Sequence, residues 1–315
     1  MDRRTFLQVA ALSMGALPLM GEGAPVRLPR RRLGKTGERL SVIGFGGIVV
    51  VGHTQDEADR MVREAFDRGV NYYDVAPSYA NGEAEEKLGH ALVGLRSKVF
   101  LACKTARRDR SGAEEELRAS LKRLRTDHFD LYQLHALSSL QDVDQALGKG
   151  GAMEAFEEAR RAGVVKYLGF SAHSVEAALA AMERFPFDTI LFPFNYVCYA
   201  EGNFGPQVLK AARAKGMGCL ALKAMAYRPW PANVPREYPK CWYEPVSEPA
   251  KAAMALRFTL SEPVTAAIPP GDVRLFRLAV EIASRLRPMG AKERSEWLAS
   301  ARGVPPIFRA VTTSG

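Results

Sequence analysis

Val99-Phe-Leu-Ala-Cys103-Lys104, then Leu117, Leu121 and Leu124, then Phe129-Asp-Leu-Tyr-Gln-Leu134-His135: within residues 99–135 an apolar run gives way to a leucine stripe and then to a second apolar run. A short unbroken apolar run suits a strand buried on both faces, and leucines three to four residues apart suit a helix with one buried stripe. Strand, helix, strand in that order implies two parallel strands joined by a crossover. Both runs end on an ionisable residue, Lys104 and His135.

The same unit recurs on either side. With 99–103 and 129–134, the runs at 42–47, 72–75, 164–170, 190–194, 218–222 and 264–268 make eight candidate strands. Helical stripes stand between them, such as Ala58, Met61, Val62, Ala65 and Phe66, or Val175, Ala178, Leu179 and Met182, and another follows at Leu275, Leu278, Ala279 and Ile282. Periodicity alone allows an open doubly wound sheet; the count of eight selects an α/β fold of the (β/α)8 barrel type. Residues 32–41, with Gly34 and Gly37 between Leu33 and Leu40, predict a hairpin ahead of the first barrel strand. The chain divides into a leader at 1–23, a basic arm at 24–31, the barrel at 32–288 and a tail at 289–315, with a Pro- and aromatic-rich loop at 226–249 after strand seven.

Composition excludes more than it selects. Of 315 residues, 47% are hydrophobic and 25% charged, which excludes a disordered chain. The balance of 44 basic and 35 acidic residues suits an anionic ligand without choosing one. Arg30-Arg31-Arg32 has no interleaved aromatics, so it reads as a solvated arm, and no nucleic-acid partner is expected. Cys103, Cys198, Cys219 and Cys241 form no C-x-x-C pair and no histidines stand at ligand spacing; no metal site is expected. At the start, Arg3-Arg4-Thr-Phe-Leu precedes a 12-residue apolar run ending at Met20, which resembles a twin-arginine export signal with cleavage after Gly23 or Ala24. The run is too short to span a bilayer, so no stable membrane span remains after cleavage. Export would place the protein in the periplasm, with the twin-arginine machinery as a partner; with the leader unused it stays cytoplasmic.

In a parallel barrel the chemistry sits where strands end. Strand two ends at Asp74, with Tyr79 five residues on; strand three ends at Lys104 and strand four at His135. Neighbouring strands converge these four groups, and buried Lys and Asp make sense only as a pair. Around a carbonyl, Tyr79 becomes the proton donor, Lys104 the cation that lowers the phenol's pKa, Asp74 the lysine's partner and His135 an orienting donor.

Asn71-Tyr-Tyr-Asp74-Val-Ala-Pro-Ser-Tyr79, Gly82-Glu83-Ala-Glu-Glu-Lys-Leu88-Gly89, Lys104 and Asp130-Leu-Tyr-Gln-Leu-His135 resemble the aldo-keto reductases, from about Arg32 to Ile282. The resemblance implies a barrel that reduces a small aldehyde or ketone to an alcohol with NADP(H), in preference to NAD(H), without metal. It places cofactor contacts at Gly46 and Gly47, at Asp74, at Ser171, at Leu222 and Lys223, and at Pro269, Gly271 and Arg274. Ala172, Leu191 and Leu222 stand where the family usually has Asn, Gln and a stacking Tyr. Gly169-Phe-Ser171-Ala172-His173 resembles a bacterial branch, some of whose members carry an iron–sulfur tail; with no cysteine after Cys241, no cluster is expected here. Those altered contacts keep an alternative open: a cofactor-binding sensor or partner subunit with little turnover. His173 either faces the nicotinamide or substrate or caps the next helix beside Ser174. Tyr227, Trp230, Trp242 and Tyr243 either wall a substrate pocket or pack within their own loop.

Overall fold

The computed structural model describes residues 28–311, so the leader at 1–23 lies outside the described residues. A hairpin of β1 (Arg30–Arg32) and β2 (Arg39–Ser41) precedes β3 (Phe45–Gly46), β4 (Tyr72–Asp74), β5 (Phe100–Thr105), β6 (Phe129–Leu137), β7 (Val165–Ala172), β8 (Thr189–Pro193) and β9 (Gly218–Leu222). An antiparallel pair, β10 (Ala226–Pro229) and β11 (Tyr243–Pro245), lies in the long loop, and β12 (Ala266–Ile268) follows. β3 to β9 and β12 pair in parallel, each with its neighbour in the chain. The ring closes where Ile43 bridges Ala267: Gly44 N donates to Ala267 O at 2.9 Å and Ala267 N to Val42 O at 2.9 Å. That closure decides for the barrel over the open sheet.

Run 42–47 yields the shortest strand. A Cβ on Gly44 would lie 2.5 Å from the Tyr72 ring, so the chain passes over that ring before pairing at Phe45. The helices bury the expected stripes. Gln55–Asp67 is opened by a Thr54/Glu57 capping box and buries Ala58, Met61, Val62 and Ala65 against the strands. Inside the barrel, Tyr72, Phe100, Leu131, Leu191, Leu220 and Ala266 fill the lumen, floored by Leu33 and Leu40 of the hairpin. Gly34 has φ of +50°, and a Cβ there would lie 2.4 Å from Gly218 N, so only glycine lets the hairpin seat against the start of β9.

One expectation needs correction in part. Arg30–Arg32 forms β1: Arg30 and Arg32 are exposed, as a solvated segment requires, but Arg31 donates to Leu260 O at 2.7 Å and Val264 O at 2.9 Å. A strand partner and two carbonyls left free ahead of β12 hold the segment that composition had assigned to water. The described part of the tail, residues 289–311, packs on the barrel. It forms a helix at Ala291–Ala299 and returns to the loops, where Ala310 N donates to Gly202 O at 2.9 Å and Phe308 stacks on His173 with centroids 5.2 Å apart. No helix among the described residues is long and apolar enough to cross a membrane.

Candidate active site

Ionisable residues gather at the C-terminal ends of β4 to β7 and β9, as a parallel barrel dictates. Three non-glycine residues with φ near +50° follow site residues directly: Ala80 after Tyr79, Ala136 after His135 and Lys223 after Leu222. Each such conformation costs ~1–3 kcal/mol and persists only where the surroundings impose it. At Ala136 one such restraint is visible, since its N–H donates to Ser171 Oγ at 2.7 Å.

Asp74, Tyr79, Lys104 and His135 converge. The buried Lys104 ammonium donates to the buried Asp74 carboxylate and to Val75 O at 3.2 Å. It also lies 5.3 Å from the centroid of the Tyr79 ring. His135 meets that ring edge-on, centroids 6.0 Å apart, and its Nδ1 stands 3.5 Å from Ser78 Oγ. Burial alone would lower the pKa of Lys104, but the Asp74 carboxylate and the Tyr79 phenol raise it overall, so the lysine stays a cation. For Tyr79 the expected balance is reversed. Burial outweighs the pull of Lys104 and raises the phenol pKa, because removing the phenolate from water costs more than one already paired cation returns. His135 is lowered to about 3, first by burial and then by the Lys104 charge, and is neutral at physiological pH.

A cavity of about 290 Å³ opens over these groups. Gly46, Asp74, Ser171, Leu222, Lys223, Pro269 and Gly271 line it as expected. Gly47 and Arg274 do not. A Cβ on Gly47 would lie 2.7 Å from the Val75 side chain, so this glycine serves packing behind the cavity. Arg274 is held by Asp272: its Nε and Nη2 donate to the two carboxylate oxygens at 3.0 Å each, while Nη2 also reaches Glu237 O at 3.1 Å. Asp272 also caps the helix Val273–Ser284, accepting from Arg274 N at 2.9 Å, so both the guanidinium and the helix N-terminus already face a carboxylate. Ala172 and Leu191 are fully buried and do not line the cavity.

His173 lines the cavity, and Ser174 caps the next helix. Trp242 and Tyr243 also line it, whereas Trp230 binds its own loop through Nε1 to Cys241 O at 2.8 Å and Tyr227 packs on the core. The cysteines are all buried.

Sequence reading missed four participants. Gln133 Nε2 donates to Asp74 Oδ2 at 3.1 Å and the Tyr72 hydroxyl donates to the same oxygen at 3.2 Å, so three side chains hold one carboxylate. Gln133 was findable: it sits two residues before His135, on the same strand face. Lys240 and Ile48 carried no such signal. Lys240 donates to Val49 O at 2.8 Å and Val51 O at 3.1 Å, tying the long loop to the segment after β3, and Ile48 packs where a Cβ on Gly271 would lie 2.5 Å away.

The model of the Aldo/keto reductase family matches residues 42–234, more than half of the chain. Aldo-keto reductase YhdN of Bacillus subtilis is 33% identical over 177 residues, covering 51% of this chain and 52% of that protein. The chain spans about half the length of the first curated relatives it matches. The holo form of aldo-keto reductase AKR11C1 from Bacillus halodurans superposes with a TM-score of 0.71 at 23% identity, covering 89% of this chain and 99% of that one. An aldo-keto reductase from Klebsiella pneumoniae, solved in complex with NADPH, gives 0.68 at 20% identity over 90% and 98%. At these identities the two structures speak for the fold.

Proposed function

The chain belongs to the aldo/keto reductase family, and from that premise we propose that it is an NAD(P)H-dependent oxidoreductase that reduces an aldehyde or ketone to an alcohol. The observation that carries this reading is the buried Asp74–Lys104 pair set against the Tyr79 phenol. A phenol whose pKa is raised remains protonated at neutral pH, which suits the donor role in reduction. Tyr79 gives its proton to the carbonyl oxygen; Lys104, held by Asp74, stabilises the phenolate left behind; neutral His135 orients the carbonyl.

The cavity fits a nicotinamide ring. Leu222 and Ile268 offer apolar walls, the buried Ser171 hydroxyl stands beside them, and Tyr79 and Lys104 lie on the same cavity. A reduced nicotinamide, when bound, supplies the hydride. Gly46, Pro269 and Gly271 would hold the rest of the dinucleotide. The NADPH complex of the Klebsiella pneumoniae protein supports NADP(H) as the cofactor, and the Asp272–Arg274 pair limits its preference over NAD(H). We further read residues 1–23 as a twin-arginine leader that exports the folded protein to the periplasm with cofactor bound and slow to leave.

Purified protein without the leader should oxidise NADPH or NADH with a reactive aldehyde, and Tyr79→Phe should lower kcat by ~10²- to 10⁴-fold at unchanged nucleotide affinity. Silence with both nucleotides refutes the reading. A second reading, a cofactor-binding sensor or partner subunit, draws on the buried Ala172 and Leu191, which bring no amide to the cavity. It predicts tight nucleotide binding and slow turnover indifferent to Tyr79→Phe.

A further inference from the structure

Lys223, which the resemblance places among the cofactor contacts, is a cation on the cavity that takes no part in the proton transfer proposed above. It follows β9 with φ of +57°, and such a conformation in a non-glycine residue is held by its surroundings. Its ammonium stands 3.5 Å from His173 Nε2 and lies over the rings of Trp242 and Phe308, 5.9 Å and 5.7 Å from their centroids. No carboxylate is among these contacts, whereas of the other two lysines on the cavity Lys104 is taken up by Asp74 and Lys240 by the Val49 and Val51 carbonyls. His173 is neutral, its pKa lowered to about 4 by burial and then by Lys223. Rings attract a cation but replace only part of its lost hydration, so the arrangement is completed by an incoming anion.

Position argues for which molecule brings it. The walls around Lys223 come from the end of β7, the long loop and the returning tail. Lys223, His173 and Trp242 line the same cavity as Tyr79 and His135, with Phe308 stacked against His173, while Ile268 and Gly271 stand against Gly46 and Ile48 elsewhere on that cavity. An anion on Lys223 therefore belongs to the compound whose carbonyl meets Tyr79. We propose that Lys223, His173 and Trp242, backed by Phe308, form a carboxylate subsite, and that the carbonyl compounds this protein reduces carry a carboxylate on a flat apolar body. The proposal rests on the carbonyl-reductase reading: the ammonium pairs with the carboxylate, and the ring of Trp242 faces the body between the two ends.

The test uses the leaderless protein with 4-carboxybenzaldehyde and 4-nitrobenzaldehyde, in the parent, Lys223→Met and Lys223→Arg. The preference for the carboxylated aldehyde, as a ratio of kcat/KM values, should fall about 10- to 100-fold in Lys223→Met, through KM, and largely return in Lys223→Arg. Nucleotide Kd, read by tryptophan fluorescence in the same three proteins, separates an aldehyde carboxylate from a cofactor phosphate on Lys223. An unchanged ratio overturns the subsite; an unchanged ratio with weakened nucleotide binding overturns it in favour of a cofactor phosphate on Lys223. Turnover of 4-nitrobenzaldehyde without any preference defeats the subsite alone, while turnover of neither aldehyde defeats the carbonyl-reductase reading and the subsite with it. If Lys223→Met does not fold, terephthalate should inhibit the parent's reduction of 4-nitrobenzaldehyde competitively with the aldehyde, and lack of inhibition overturns the proposal.

Discussion

On the β4 to β6 side of the barrel mouth, the Asp74 carboxylate is held by Lys104, Gln133 and Tyr72, and the charge of Lys104 is balanced inside the protein. On the β7 to β9 side, Leu222 lines the cavity, Ala172 and Leu191 are buried away from it, and Lys223 meets, among the described residues, an imidazole and two rings. One side is complete without ligand; the other is completed by it. A self-satisfied network fixes geometry before the substrate arrives, while an unbalanced cation selects what arrives.

The largest expected effect breaks the complete side. Lys104→Met leaves a buried carboxylate without its cation, which should cost about 3–5 kcal/mol of unfolding free energy in urea. Adding Asp74→Asn should restore more than half of that loss, since the uncompensated charge is gone. A single variant within 1 kcal/mol of the parent, on the order of a surface pair, would show that the network is not holding the site.

A smaller effect concerns the turn after β12, which neither side includes. Asp272→Ser keeps a capping hydroxyl for the helix Val273–Ser284 but releases Arg274, which should improve the ratio of NADPH to NADH affinity by about 3- to 10-fold. Equal change for both nucleotides would separate Arg274 from the cofactor's extra phosphate.

The smallest effect separates the two sides by pH. Lys223 is lowered to about 8, first by burial, with Cys198 raising it and Lys104 lowering it; His173 stands beside it and is neutral. The cation is present below that pH and lost above it, so preference for a carboxylated aldehyde should decline as pH rises through about 8. Reduction of a neutral aldehyde should stay level there, because Tyr79 remains protonated and His135 neutral. Parallel decline of the two substrates would place the titration on the catalytic side instead.

Much of this was legible before the fold was seen. Asp74, Lys104 and His135 close or nearly close strands, and a parallel barrel can only bring such residues together. Gln133 carried a signal in its spacing from His135. At Arg274 the sequence shows an arginine near a helix start with Asp272 two residues earlier, and only the structure shows the carboxylate holding the guanidinium on both oxygens. The direction of the Tyr79 shift was misread because charge is visible in a sequence and dehydration is not. Phe308 could not be found at all, since its place over His173 depends on a tail returning from beyond the barrel.

By itself the sequence pointed to an α/β fold of eight strands, to the hairpin ahead of them and to the four residues that meet at the strand ends, because strand periodicity and strand-end position are local properties that pairing then repeats. Only the tertiary structure decided the closed ring over the open sheet, the first strand made of three arginines, the capture of Arg274 and the cage around Lys223. Each of those depends on what distant or turned-back chain stands beside a residue, and the last also on how far burial has removed a charge from water, which no spacing along the sequence records.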